Sequence, residues 1–150
     1  MMRALPIVVL FLVAGVAIAD EAGKKFLKEI EGTYTATEMK RSGEAAPDEF
    51  LKTITLTIKG DAFTIQFKDA AKIETKSATV VIDASQKPIA IDLTPKEGPE
   101  AGKPVLGIIK VEKDTVIYCW ADRGDKVERP KEFSSTKENK HFLIVMKKMK

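Results

Sequence analysis

The sequence predicts an all-β fold of about eight short antiparallel strands in chain order, closed as a barrel or stacked as a sandwich, behind one short amino-terminal helix. Three observations carry this. Residues 53–58 and 62–67 alternate apolar side chains with Thr or Gln around a Gly60-Asp61 turn, the period of strands with one buried face. Residues 105–111 and 115–121 form a second hairpin later in the chain. Further short β-favouring runs follow one another across turn residues, with no helical segment between them.

The first hairpin also specifies its register. With Gly60-Asp61 as a two-residue loop, Ile58 faces Phe63, Leu56 faces Ile65 and Ile54 faces Phe67. A slip of one residue would set threonines opposite phenylalanines and mix the two faces. Gly at the first loop position suits a type II′ turn, whose first central residue needs φ > 0. The Ile/Leu/Phe face is therefore the candidate core, and the threonine face looks to water.

The remaining elements follow in order. Residues 22–31 make a short amphipathic helix with Phe26, Leu27 and Ile30 on one face, ended by Gly32. Residues 33–39 read as the first strand and residues 40–49 as a polar loop. Residues 73–82 form the strand after the hairpin, and the apparent change of apolar face near Ser77-Ala78 predicts a bulge or sharp bend there. Residues 83–88 are a turn, after which Ile89, Ile91 and Leu93 alternate with Ala90, Asp92 and Thr94. Residues 95–104, with Gly98, Pro99 and Gly102, are a loop. In the second hairpin Val111 faces Val116, Ile109 faces Tyr118 and Gly107 faces Trp120, an indole filling the gap at a bare glycine. Residues 122–138 are a polar loop and residues 141–147 the last strand.

Residues 1–19 read as an address. Met1-Met2-Arg3 supplies a positive start, residues 4–16 are apolar but short for a membrane span, and Ala17-Ile18-Ala19 offers small residues where a signal peptidase cuts. The expectation is export, a single domain over residues 20–150, and no stable membrane insertion after cleavage. No Cys follows the small residues, which argues against a lipid anchor. Removing the leader takes Arg3 and no acidic residue from a formal net charge of +3, so the charges are near balance and interspersed. That is no electrostatic footprint for nucleic acid. The lysine-rich carboxy terminus reads as a solvated end. Cys119 is the only cysteine, expected buried and inert in its strand, so stability rests on a core and not on disulfides.

Several groups of residues resemble a planctomycete-type conserved hypothetical domain, an exported bacterial family of lipocalin-like proteins. They are Ile30-Glu31-Gly32-Thr33-Tyr34, Lys59-Gly60-Asp61, Asp83-Ala84-Ser85-Gln86-Lys87-Pro88 and Ile91-Asp92-Leu93-Thr94 in the first part. Glu97-Gly98-Pro99, Gly102-Lys103, Leu106-Gly107-Ile108, Asp114-Thr115, Cys119, Arg129-Pro130 with Phe133, and Leu143-Ile144-Val145-Met146-Lys147 complete the set. They span nearly the whole predicted domain in order. Tyr34 stands where the family usually has Trp in a Gly-Thr-Trp start similar to the Gly-x-Trp of lipocalins. The resemblance implies an up-and-down barrel with a helix near its mouth and carries over no catalytic residues. By the same comparison, Arg129 would pack over Tyr34 as a structural cation–π closure.

Catalysis needs a base, nucleophile or metal gathered in a cleft. His141 is the only histidine, which excludes His-rich zinc or copper sites. Opening the last strand beside Lys140, it is expected at an exposed or edge position. Cys119 and His141 lie on the last two strands, with no Asn or Asp placed to orient them as a pair. The carboxylates are scattered, and the Gly98/Gly102 loop lacks the phosphate-loop pattern. The sequence thus points to a non-catalytic protein with no cofactor and no metal. Its barrel would bind a small, largely apolar ligand, because eight strands leave room either for packed side chains or for one small molecule. The lining expected for a closed, mostly dry cavity is Tyr34, Leu56, Phe63, Ile65, Phe67, Ile91, Tyr118 and Trp120, with entry near residues 95–104 or 122–138. The other reading is a structural or protein-interaction module of the cell envelope with a filled barrel, working through its outer face or a sheet edge.

Overall fold

The structure, a computed structural model, describes residues 21–69, 72–121 and 128–150. The leader predicted for residues 1–19 and the first part of the 122–138 loop lie outside these. Helix α1 (Glu21–Glu29) precedes strand β1 (Gly32–Arg41), the two-residue β2 (Glu44–Ala45) and a single turn of helix α2 (Asp48–Leu51). Then come β3 (Ile54–Lys59), β4 (Ala62–Asp69), β5 (Lys72–Asp83), β6 (Ile89–Pro95), β7 (Val105–Glu112), β8 (Thr115–Ala121) and β9 (His141–Lys148). Each long strand pairs antiparallel with the next, and β9 returns to pair with β1. The result is a closed up-and-down barrel of eight strands, with β2 as a flap on β1. Closure gives each long strand a partner on both sides, which reduces the open edge that another chain could pair with.

Both hairpins have the predicted registers. Ile54 pairs with Phe67, Leu56 with Ile65 and Ile58 with Phe63; Gly107 pairs with Trp120, Ile109 with Tyr118 and Val111 with Val116. Gly60 has φ 58° and Asp61 is not in the positive-φ region, as a turn with a single left-handed residue at its first position requires. The Gly60 N–H also donates to Glu31 Oε1 at 3.1 Å, which ties the turn to the segment after α1.

The predicted bulge near Ser77-Ala78 is absent, and the irregularity lies in β1 instead. Pairing along β5 is continuous through Thr64↔Ser77 and Phe63↔Ala78. Its even-numbered positions stay inward throughout, ending in buried Ala78, Val80 and Ile82. The apparent change of face arises because the inward positions nearest the barrel mouth are Glu74 and Lys76, while Ile73 points outward and is 62% exposed. In β1, by contrast, Ala36 pairs with Met146 and Glu38 with Val145, so Thr37 is an extra residue. That bulge lets Tyr34, Ala36 and then Met39 all point inward. The Thr37 hydroxyl donates to the Val145 carbonyl at 3.2 Å.

The 40–49 segment, expected to be a polar loop, carries β2 and the start of α2. Pro47 precedes the helical turn, Asp48 and Glu49 open it, and Leu51 is buried. Acidic residues in a first turn favour that end of a helix.

Helix α1 packs on β3 and β5 and buries Phe26 and Leu27, followed by Ile30. It closes the barrel end that holds the Gly60 turn, not the mouth that the family resemblance implied. Tyr34 is part of this closure. It is buried, and its hydroxyl donates to the Ile30 carbonyl at 2.7 Å, satisfying a group left over at the helix end.

The outer wall carries a second, smaller apolar layer. Ala90, Ile108 and Cys119 are cross-strand neighbours pointing away from the barrel interior, yet all three are buried. The segment of residues 128–140 crosses this wall. The Cys119 thiol donates to the Ser134 carbonyl at 3.5 Å, and Phe133 lies under Lys110 Nζ at 4.7 Å. Arg129 pins the segment down, donating from Nη1 to the carbonyls of Ile91 (3.0 Å) and Gly107 (2.8 Å) and from Nη2 to Asp92 Oδ1 (2.6 Å). Arg129 is therefore a strap across β6 and β7 on the outer surface, not a cation over Tyr34. Its planar donor fork suits several acceptors at once.

Candidate ligand cavity

The barrel interior holds a cavity of about 660 Å³ that opens to solvent at the end opposite α1, where the sequence predicted a closed one. Its size falls in the range of small-molecule sites. One wall is the inward face of the first hairpin: Leu56 on β3 and Phe63, Ile65 and Phe67 on β4. These four line it because period-2 alternation puts the Ile, Leu and Phe side chains of the hairpin on one face. Facing them, Val116, Tyr118 and Trp120 of β8 stand beside Ile144 and Met146 of β9. Small or short side chains between the walls keep the space open: Ala78 beside Phe63, and Val105 at the start of β7.

The aromatic side is organised as a stack. Tyr118 and Trp120 are two apart on β8, their ring centroids 4.5 Å apart and their planes 21° from parallel. Trp120 pairs across strands with Phe142 at 4.2 Å and 13°. Gly107 makes this possible. A Cβ there would meet Tyr118 Cε2 at 2.6 Å and the Cys119 carbonyl oxygen at 2.7 Å. The ring covering the bare glycine is thus the diagonal Tyr118, whereas the sequence pointed to the directly opposite Trp120.

The mouth is charged. Glu74 and Lys76 at the start of β5 and Glu97, Gly98, Pro99 and Glu100 in the 95–104 loop border it. That is one of the two entry regions expected from the sequence. Lys76 Nζ is 3.6 Å from Glu74 and 5.9 Å from the Phe67 ring centre, and Lys103 reaches Glu100 at 3.9 Å. Phe50 of α2 stacks on Phe67 at 6.2 Å, extending the apolar rim.

Of the residues expected to line a cavity, Leu56, Phe63, Ile65, Phe67, Tyr118 and Trp120 do so. Tyr34 and Ile91 do not. Tyr34 is held under α1 by its bond to Ile30, and Ile91 is fully buried in the packed part of the core. The sequence reading missed Ile144 and Met146 because residues 142–146 of β9 are apolar at every position, so alternation indicates no inward face there. The lining by Glu74 and Lys76 was missed because polar residues were read as outward.

Two polar groups stand out. The Tyr118 hydroxyl is buried with no hydrogen-bond partner among the described residues. Burial holds its ionisation far above the ordinary tyrosine value, so it is a neutral phenol. His141 Nδ1 is likewise buried and unbonded among the described residues. His141 is half-buried at the first position of β9, opposite Ala121, where an exposed or edge position was expected. Cys119 sits under the strap with its thiol on Ser134, and burial pushes that thiol up. Among the described residues no three His, Cys, Asp or Glu side chains converge as metal ligands. Comparison with protein-family models, curated proteins and solved structures finds no match.

Proposed function

We propose that this protein is an exported, non-catalytic binder that holds a small, largely apolar molecule inside its barrel. The observation that carries the reading is the 660 Å³ cavity walled by the first hairpin and the Tyr118–Trp120 face. A barrel serving only as a scaffold gains by filling its interior, because unfilled apolar space loses packing energy. Export rests on the leader-like residues 1–19, and the planctomycete-type lipocalin-like family is the proposed kinship.

Native mass spectrometry of protein recovered from its own host tests this reading. The expected spectrum shows the folded chain carrying a small-molecule mass that disappears on denaturation, with the polypeptide starting after Ala19. A chain of bare polypeptide mass under gentle conditions would count against binding, and an intact amino terminus would count against cleavage.

A further inference from the structure

Strand β5 is paired over more of its length on one flank than on the other. It pairs with β4 from Lys72 to Thr79, whereas its pairing with β6 begins only at Ala78. In an antiparallel ladder successive residues turn their N–H and C=O groups to opposite sides. The Ser77 carbonyl accepts from the Lys96 N–H at 3.0 Å on the β6 side, so Ile73 and Thr75 turn their own N–H and C=O groups the same way. No described residue bonds them there.

This bare edge borders the cavity. On β4 and β8 the cavity touches every second residue, as an inward face does. On β5 it touches Glu74, Thr75, Lys76 and Ser77 in succession. The space thus reaches around the edge of β5, and the 95–104 loop bounds it on the far side through Glu97, Gly98, Pro99 and Glu100. A slot with strand-spaced donors and acceptors on one flank leads directly into an apolar chamber.

We propose that the ligand is a short, extended peptide that adds to residues 73–75 of β5 as an extra antiparallel strand and lowers an apolar side chain into the cavity. This rests on the reading that the barrel binds a small, largely apolar molecule, and it adds a chemical class and a docking edge. The free groups of Ile73 and Thr75 recur about 7 Å apart, the two-residue repeat of any extended chain. A peptide backbone meets all four of them, as strand addition to a sheet edge does generally. Alternation then sorts the side chains. Peptide residues opposite Ile73 and Thr75 point outward with them, and one covers part of the Ile73 side chain, otherwise 62% exposed. The residue between, opposite Glu74, points inward over the chamber and is the apolar one.

Displacement of N-phenyl-1-naphthylamine from the folded chain tests the inference with two peptides, acetyl-Val-Phe-Val-amide and the same peptide N-methylated at both valines. Methylation removes the two donors that face Ile73 and Thr75 and leaves the phenylalanine. On wild type the unmethylated peptide is expected to compete about tenfold better, the effect of two modest hydrogen bonds. Thr75→Pro removes an edge N–H that no strand uses, at a kind of position where strands accept proline. It should keep native circular dichroism and naphthylamine binding, and the advantage of the unmethylated peptide should shrink. Equal competition by the two peptides on wild type, or no displacement by either, overturns strand addition and leaves apolar binding standing. An undiminished advantage in folded Thr75→Pro also overturns it. The wild-type comparison decides the matter if Thr75→Pro does not fold. If folded wild type binds no naphthylamine, the binding reading fails and the inference with it.

Discussion

Gly107 and Tyr118 occupy one space: a Cβ on Gly107 would stand 2.6 Å from Cε2 of the Tyr118 ring and 2.7 Å from the backbone oxygen of Cys119. The ring can rotate away from such an atom, but the carbonyl cannot. Gly107→Ala should therefore cost about 1–3 kcal/mol, as overpacking of a filled core does. It should also disturb the Tyr118–Trp120 stack that forms one cavity wall. Urea unfolding followed through Trp120 fluorescence checks both, with a lower midpoint and an altered native spectrum expected. An unchanged midpoint would mean that β7 and β8 have slack at this pair.

The two tyrosines, the only ones in the chain, predict the response to alkali. Burial raises the ionisation of both Tyr34 and Tyr118 above the ordinary value of about 10. The folded state thus holds these protons more tightly than the unfolded chain. Their contribution to stability is whole below about pH 10 and is lost as pH rises beyond it. Phenolate absorbance should appear only together with loss of the near-ultraviolet circular dichroism. Ionisation of both rings in a protein with native dichroism would contradict the burial described for them.

Arg129 predicts a link between the strap and Cys119. Its guanidinium binds two carbonyls and Asp92, while the same segment covers the Cys119 thiol through Ser134. Arg129→Ala should loosen residues 128–140 without opening the barrel. The reaction of Cys119 with a disulfide reagent under native conditions should then accelerate by about tenfold, the effect of making local opening about 1.4 kcal/mol easier. An equal rate in both proteins would show that Phe133 and Pro130 hold the strap without the arginine.

Much of this architecture was legible because residues 54–67 combine alternation with a two-residue turn, and the short turn of residues 105–121 gives the same register whether its loop is read as two or four residues. The barrel interior was harder to read wherever side-chain type and facing part company. Glu74 and Lys76 point inward at the mouth, where water still reaches them, and their polarity mimicked a change of face in β5. Thr37 is an added residue in β1, and a bulge leaves no mark in an alternation as short as Tyr34, Ala36, Met39. Residues 142–146 are apolar throughout because the barrel covers one face of β9 and neighbouring structure half-covers the other. Arg129 was placed by family resemblance over Tyr34, yet Asp92, its ionic partner 37 positions earlier, becomes visible only once β6 and the strap are side by side.

The central claim is that the space beside Phe63 and Tyr118 takes up a small uncharged apolar molecule. Fluorescence titration with N-phenyl-1-naphthylamine tests it most directly, using wild type and two variants that fill the space, Ala78→Phe and Val105→Phe. The account predicts saturable one-to-one binding to wild type, abolished in whichever variant retains native circular dichroism. No binding to folded wild type, or undiminished binding to a folded, cavity-filled variant, would contradict it.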